Sequence, residues 1–200
     1  VLNSNERDLL FTGYKQIIDS LRCTIQVFTE YLQNQIVSLT TENCSYFSIM
    51  DNPSFKSQLQ NSLEKYTNEL KDVCKKAIGT IDNILLVEVN ESESCIFYHK
   101  TKADYYRYIA EFQNDSEKKN TIKESELSYK TALNLAQSNK HLKKSDPLYL
   151  GLALNFSVCE YEFMNKKEEV IEFSDKVFNE AVKTLDELSE EKYNESTLLM

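Results

Sequence analysis

Hydrophobic residues recur every three or four positions along almost the whole chain, which is the spacing of helices with one buried face. Only three glycines and two prolines interrupt this pattern. It therefore predicts an all-α protein, built as an antiparallel bundle or array of long helices. The predicted helices cover residues 3–33, 54–88, 92–113, 118–139, 147–165 and 167–189, and a last helical segment begins after residue 193.

Two of these helices begin at residues that typically cap helices. Asn3 is followed three positions later by Glu6, which is the spacing of a capping box. Pro147 follows Asp146, and proline is favoured in the first turn of a helix. Between the first two helices, residues 37–52 are rich in serine, threonine and asparagine and lack a helical period, so we predict a long connection there.

The apolar positions of the first two helices form stripes that we expect to face a core. The stripe of the first helix consists of Leu10, Tyr14, Ile17, Leu21, Ile25, Phe28 and Leu32. The stripe of the second consists of Leu59, Leu63, Tyr66, Leu70, Val73, Ala77, Ile81 and Leu85.

A chain of 200 residues that is 41% hydrophobic and 28% charged is long enough for one sizeable core. We therefore predict a single domain over residues 1–200, with two subdomains as the alternative. The longest apolar runs, such as residues 84–87, are too short to span a bilayer, and no cleavable signal opens the chain. Five cysteines without a CxxC pair indicate reduced thiols, so we predict a cytoplasmic location, with the nucleus as a second compartment.

Cys95 and His99 lie four positions apart and could both touch a metal ion. No second pair supplies the remaining ligands, so ordinary helix packing is favoured for both residues. We expect neither a metal nor another cofactor.

A net charge of −9 argues against nucleic acid as a partner, because proteins that bind its backbone present a basic surface. An acidic surface can still surround a basic pocket. Such a protein would select a compact anion, such as a phosphorylated side chain, because extended polyanions are repelled.

One candidate for such a pocket lies on the third helix. Lys100, Asp104 and Arg107 follow i, i+4, i+7 spacing, so the carboxylate can fix the arginine while its donors and the Tyr108 hydroxyl point at one phosphate. The alternative is a solvated helix face with an ordinary ion pair.

A second pair of cations lies on the first helix. Lys15 and Arg22 are seven residues apart on one face, which we expect to be flanked by Ile18 and Gln26 and to lie away from the core stripe. Again, the alternative is a solvated face.

The fifth helix is apolar on nearly every side, so its polar groups need partners. One face of this helix carries Asn155, Val158 or Cys159, and Glu162, with Gly151 one turn earlier and with Leu148 and Leu154 nearby. The amide of Asn155 can hold the backbone of an extended peptide through both a donor and an acceptor, or it can belong to a network between helices.

These residues together resemble the 14-3-3 proteins. The run Asp104-Tyr-Tyr-Arg-Tyr-Ile-Ala-Glu111 and the run Leu150-Gly-Leu-Ala-Leu-Asn-Phe-Ser-Val158 follow the family pattern closely. Further matching stretches are residues 7–18, 69–74, 97–98, 178–181 and 185–193. A second family signature begins at Tyr193 and stops at Met200, and the similarity is weakest over about residues 26–60.

The resemblance implies a phosphoserine/phosphothreonine-peptide binding adaptor without catalytic activity, which docks phosphorylated client proteins. The residues that would bind the phosphate are Lys15, Arg22, Arg107 and Tyr108. The residues that would form the peptide groove are Lys100, Leu148, Leu154, Asn155, Val158, Glu162 and Leu199. In that groove Lys100 and Asn155 would touch the peptide backbone, and Glu162 would contact residues that flank the phosphate. Asp104 would brace the arginines from behind.

The chain also departs from the family pattern. Family members usually carry a tryptophan and an arginine where this chain has Ile25 and Gln26, so one cation near the groove is missing. In the family, two helices precede the one that begins at Asn3 and build the dimer interface, and another helix follows Met200. We therefore expect a homodimer or heterodimer from a longer form, and a monomer or weak associator from residues 1–200.

Three other classes of protein stay open. A degenerate 14-3-3-like scaffold or assembly partner would keep the fold and bind phosphopeptides weakly or not at all. A tetratricopeptide-like scaffold is disfavoured because no repeat of its usual period occurs. An enzyme is disfavoured because the sequence offers no nucleophile paired with a base and no glycine-rich phosphate loop.

Overall fold

The computed structural model describes residues 2–33, 53–88 and 92–200, and the regular structure of these residues is helical. The helices are α1 (Ser4–Leu32), α2 (Pro53–Thr80), α3 (Ser92–Glu111), α4 (Asp115–Ser138), α5 (Pro147–Phe163), α6 (Lys167–Val182) and α7 (Glu190–Leu199). A π-helical segment, Ile81–Leu85, and one α-helical turn, Leu86–Glu88, continue α2. The prediction of an all-α fold is confirmed, whereas the predicted connection at residues 37–52 lies outside the described residues.

The chain forms two compact units, Leu2–Ala77 and Ile78–Met200. The single domain predicted for residues 1–200 stays a prediction. Within the described ranges, no helix combines the length and the apolarity that a membrane span requires.

Both predicted caps are confirmed. The Asn3 side chain accepts a hydrogen bond from the backbone N–H of Glu6 at 3.0 Å, and the Glu6 carboxylate accepts one from the backbone N–H of Asn3 at 2.9 Å. Pro147 opens α5, where the Asp146 carboxylate accepts from the backbone N–H of Leu148 at 2.9 Å. These bonds satisfy N–H groups that a helix start leaves without intrahelical partners.

Three helix boundaries differ from the prediction by three residues or more. Helix α4 begins at Asp115 and not at 118, because the Asn114 side chain caps it. Helix α6 ends at Val182, well before 189. There the buried Ser145 hydroxyl donates to the carbonyl oxygen of Thr184 at 3.0 Å. If the helix continued, this oxygen would accept a backbone hydrogen bond within the helix. Helix α7 then begins at Glu190, capped by the Ser189 side chain, which is earlier than the predicted start after residue 193.

In the unit Leu2–Ala77, the core stripe of α1 is rotated relative to the prediction. Leu21 and Ile25 are buried as predicted, but Ile17 is 51% exposed while Ile18 is 0% exposed. One residue turns a helix by about 100°. Because the sequence offers adjacent isoleucines, its apolar pattern does not fix this rotation. The expectation that Ile18 flanks a mixed polar face is therefore wrong.

In the unit Ile78–Met200, small residues let α3 and α4 approach closely. Ala103 of α3 and Ala132 of α4 are fully buried, and the Ser125 hydroxyl of α4 donates to the backbone oxygen of Ala103 at 2.8 Å. Helix α5 packs on the same core through Leu152 and Phe156. This packing holds fixed the segment of α3 that carries the candidate site residues.

Candidate functional site

The centre of the site is the buried carboxylate of Asp104 on α3. It accepts hydrogen bonds from Lys100 Nζ at 2.9 Å, from Asn155 Nδ2 at 2.8 Å and from the hydroxyl of Tyr129. These donors come from α3, α5 and α4. A buried carboxylate needs such partners, and hydrogen bonds to a charged acceptor are the stronger kind. Asp104 therefore fixes three side chains from three helices in one place.

Arg107 lies next to this centre, and its side chain is only 9% exposed. Its Nε donates to the Tyr129 hydroxyl at 3.4 Å, and its Nη1 donates to Glu111 Oε1 at 3.4 Å. Its guanidinium carbon lies 4.7 Å from the ring centroid of Tyr108, which is within the range of a cation–π contact. Burial acts to lower the pKa of Arg107. The nearby oxygens of Tyr129, Tyr108 and Asp104 raise the pKa by more, so the guanidinium stays charged.

Asp104 is linked to Arg107 through a third side chain and not by the direct pairing that the helical spacing suggested. The hydroxyl of Tyr129 connects the two, since it accepts from Arg107 Nε and donates to Asp104 Oδ1. Burial, followed by the charge of Asp104, raises the pKa of Tyr129 well above its ordinary value, so the hydroxyl keeps the proton that it donates.

Sequence reasoning missed Tyr129. It lies 22 residues from Arg107 and 25 from Asp104, and it stands among apolar residues of α4 such as Leu133. A tyrosine in such a stripe looks like any aromatic core residue. The one available sign was that a buried phenol usually has a hydrogen-bond partner.

Lys100 and Asn155, which the resemblance assigns to the peptide backbone, both turn toward Asp104. The stem of Lys100 passes α5 at Gly151, where a Cβ atom would lie 3.7 Å from Lys100 Cε. Asn155 donates through one amide hydrogen to Asp104, so it belongs to a network between helices, as the alternative interpretation proposed. An amide has a second hydrogen and a carbonyl oxygen, so this role does not preclude contact with a peptide.

Two of the predicted wall residues come together around a small cavity of about 130 Å³. Leu154 of α5 and Leu199 of α7 both line it. Leu148 instead packs against the buried core of this unit, and Val158 is half-buried on α5. Glu162 is exposed near the end of α5. The structure therefore groups only part of the predicted wall.

The cations on α1 belong to the other unit, Leu2–Ala77, and have a different environment. Lys15 is 69% exposed and forms an ion pair with Asp19 on the same helix. Arg22 is 23% exposed, and its Nη1 lies 3.8 Å from the other oxygen of Asp19. The exposure of Lys15 matches the solvated-face alternative. For Asp104 and Arg107 the solvated face is wrong, since both are buried, but the ion pair between Arg107 and Glu111 that this alternative included is present at 3.4 Å.

Comparisons with known proteins agree on one family. The chain matches the family model described as "14-3-3 protein" over residues 1–200. It is 35% identical over 199 residues to 14-3-3 protein beta/alpha-1 of Oncorhynchus mykiss, covering 100% of this chain and 75% of that protein. It is 36% identical over 199 residues to 14-3-3-like protein B of Glycine max, again covering 100% and 75%.

A third relative, 14-3-3-like protein GF14 iota of Arabidopsis thaliana, is 35% identical over 199 residues, which cover 100% of this chain and 69% of that protein. Proteins of this kind are adaptors and scaffolds, not enzymes, and the match supports a phosphopeptide-binding adaptor role in general terms. The chain belongs to the 14-3-3 family.

Proposed function

We propose that this chain binds phosphoserine and phosphothreonine peptides and thereby docks phosphorylated client proteins. The observation that carries the proposal is the buried, charged guanidinium of Arg107. A guanidinium has five N–H donors. Within the described residues, the hydrogen bonds of Arg107 use the Nε hydrogen and one Nη1 hydrogen, which leaves Nη donors for a ligand. Holding the Nε edge fixed aims the other edge of the planar group at an anion.

The residues that we propose to bind the phosphate, as the resemblance assigns them, are Arg107 and Tyr108 of α3 and Lys15 and Arg22 of α1. A phosphoryl group brings about −1.5 to −2 charges and three strong acceptors, which suits several cations and a hydroxyl. The support is that the resemblance assigns all four residues to this role and that the family match spans residues 1–200. The acidic net charge of −9 would then disfavour extended polyanions as competitors.

In the proposed groove, the peptide lies beside α5. Lys100 and Asn155 hold its backbone, because Asp104 orients both and each retains donors beyond the one given to Asp104. The remaining proposed groove residues are Leu148, Leu154, Val158, Leu199 and Glu162. We also propose a second 14-3-3 subunit as a partner and a cytoplasmic or nuclear location.

The degenerate scaffold remains the second candidate function, and two observations favour it. Asp19 pairs with Lys15 and lies 3.8 Å from Arg22, so a phosphate must compete with a carboxylate for both cations. By the resemblance, Gln26 also stands where the family usually has an arginine.

Paired binding isotherms distinguish the two functions. The chain is titrated with one serine peptide in phosphorylated and unphosphorylated form, at fixed ionic strength. We expect the phosphorylated form to bind at least about tenfold tighter, because charge-assisted hydrogen bonds contribute about 1.5–3 kcal/mol each. Arg7→Ala serves as a matched control, since it removes an arginine of α1 that is not in the proposed site and should leave this ratio unchanged. Equal affinity for both forms would leave only the scaffold.

A further inference from the structure

The hydroxyl of Tyr129 occupies a position that the family resemblance did not assign. Its oxygen accepts a hydrogen bond from Arg107 Nε at 3.4 Å, and its hydrogen is donated to the carboxylate of Asp104. Tyr129 is 0% exposed, so it cannot itself touch a peptide. Any influence that it has on binding must pass through Arg107.

We infer that Tyr129 is a positioning residue for phosphate recognition: its hydroxyl fixes the Nε edge of Arg107 and so sets how strongly the phosphorylated peptide is preferred. The inference rests on the proposed function of the site. It adds a residue outside the groove that controls selectivity for phosphate and leaves affinity for the peptide backbone unchanged.

The directions of the hydrogen bonds support this role. A phenol has one hydrogen, and here it goes to Asp104, so the oxygen faces Arg107 as an acceptor. The Asp104 carboxylate polarises the hydroxyl and makes its oxygen a better acceptor, since hydrogen bonds in a chain strengthen one another. Burial and the charge of Asp104 both raise the pKa of Tyr129, so this direction holds across the physiological pH range.

The Asp104 carboxylate supports the proposed backbone contacts and the proposed phosphate contact by two different routes. Asp104 holds Lys100 and Asn155 directly, and both are proposed to bind the peptide backbone. It reaches the phosphate-binding Arg107 through Tyr129. Removing the hydroxyl should therefore disturb the phosphate contact while the backbone contacts keep their support. Removing Asn155 should disturb contacts that both peptide forms share.

Tyr129→Phe is the direct test, because the phenyl ring still fills the core while Arg107 Nε loses its acceptor. Tyr149→Phe is the matched control. Tyr149 is also buried in the unit Ile78–Met200, but it lines another cavity, of about 340 Å³, together with Phe173 and Val177. Both variants and the wild type are titrated with the phosphorylated and unphosphorylated peptide.

We expect Tyr129→Phe to lower the ratio of the two dissociation constants by about five- to tenfold, with the affinity for the unphosphorylated peptide unchanged. Tyr149→Phe should keep the wild-type ratio. If the wild type discriminates and Tyr129→Phe keeps the full ratio, the inference is wrong and the proposed function stands. Equal weakening of both peptide forms would mean a merely structural role and would overturn it. A wild type without discrimination removes the proposed function itself.

A measurement on the unaltered protein covers the case in which Tyr129→Phe does not fold. The chain has three arginines, Arg7, Arg22 and Arg107, so their Nε–H signals can be assigned by ¹⁵N NMR. We expect the Arg107 Nε–H to exchange with solvent at least about tenfold more slowly than that of a free arginine, because it is buried and hydrogen-bonded to Tyr129. Equal exchange rates would overturn the inference.

Discussion

The same arrangement of charges occurs on two helices and has a different environment on each. Residues 15–22 of α1 and residues 100–107 of α3 both carry a lysine, then an aspartate four positions later, then an arginine three positions after that. On α1 the central Asp19 pairs with cations of its own helix, at partly exposed positions. On α3 the central Asp104 is buried and accepts hydrogen bonds from α4 and α5 as well.

The difference shows that helical spacing places side chains on one face, whereas packing decides what that face can do. Exposed ion pairs such as those of Asp19 contribute about 0–1 kcal/mol to stability. A buried carboxylate that holds three donors cannot be removed at so low a cost, because the donors would be left without an acceptor. In the proposed site, the α3 segment would thus be a rigid part, and the α1 segment would supply charge.

The largest expected effect is on stability. Asp104→Ala leaves Lys100, Tyr129 and Asn155 without their shared acceptor, so it should lower the free energy of unfolding by about 3–5 kcal/mol. Asp19→Ala on α1 is the matched change and should cost less than about 1 kcal/mol. Urea denaturation followed by circular dichroism measures both. Losses of similar size would contradict the contrast between the two helices.

The next effect is on phosphopeptide affinity. Arg107→Ala should weaken phosphopeptide binding by about 2 kcal/mol or more, about thirtyfold, because a prepositioned charged donor is lost. Lys15→Ala should weaken it by only about 1 kcal/mol, since the Lys15 side chain is exposed, loses conformational freedom on binding and must leave Asp19. Calorimetric titration of both variants with one phosphopeptide tests this order. A larger loss for Lys15→Ala would reverse the roles assigned to α1 and α3.

The smallest effect concerns the peptide backbone. Asn155→Ala should weaken phosphorylated and unphosphorylated peptides by similar factors, each by about 1 kcal/mol or fivefold, because its proposed contact is common to both. Titrations with the two peptides give the two factors. A loss confined to the phosphorylated form would assign Asn155 to the phosphate site.

The helices of this fold were predictable because each is encoded locally. The capping box at Asn3 and the proline at the start of α5 are short sequence patterns, and the structure contains both. The spacing of Lys100, Asp104 and Arg107 likewise placed the three residues on one face of α3, and the structure shows a hydrogen bond between the first two of them. Contacts within one turn or two depend on few residues, so the sequence alone suffices for them.

Contacts between helices were not predictable in the same way. The rotation of α1 depends on which of Ile17 and Ile18 is buried, and both are equally apolar. The link from Asp104 to Arg107 passes through Tyr129, which is far away in sequence and looks like a core residue. Nothing in the spacing of α3 contains this information, because it arises only when α4 packs against α3.

The most direct test of the account is the titration of the bound phosphate itself, followed by ³¹P NMR of a phosphoserine peptide in complex with the chain. A free phosphoserine has a second pKa of about 6. Nearby cations favour the dianion, so in the wild-type complex we expect this pKa to fall by about one unit or more. In Arg107→Ala the shift should shrink. A bound peptide whose phosphate titrates like that of the free peptide would contradict the phosphate site.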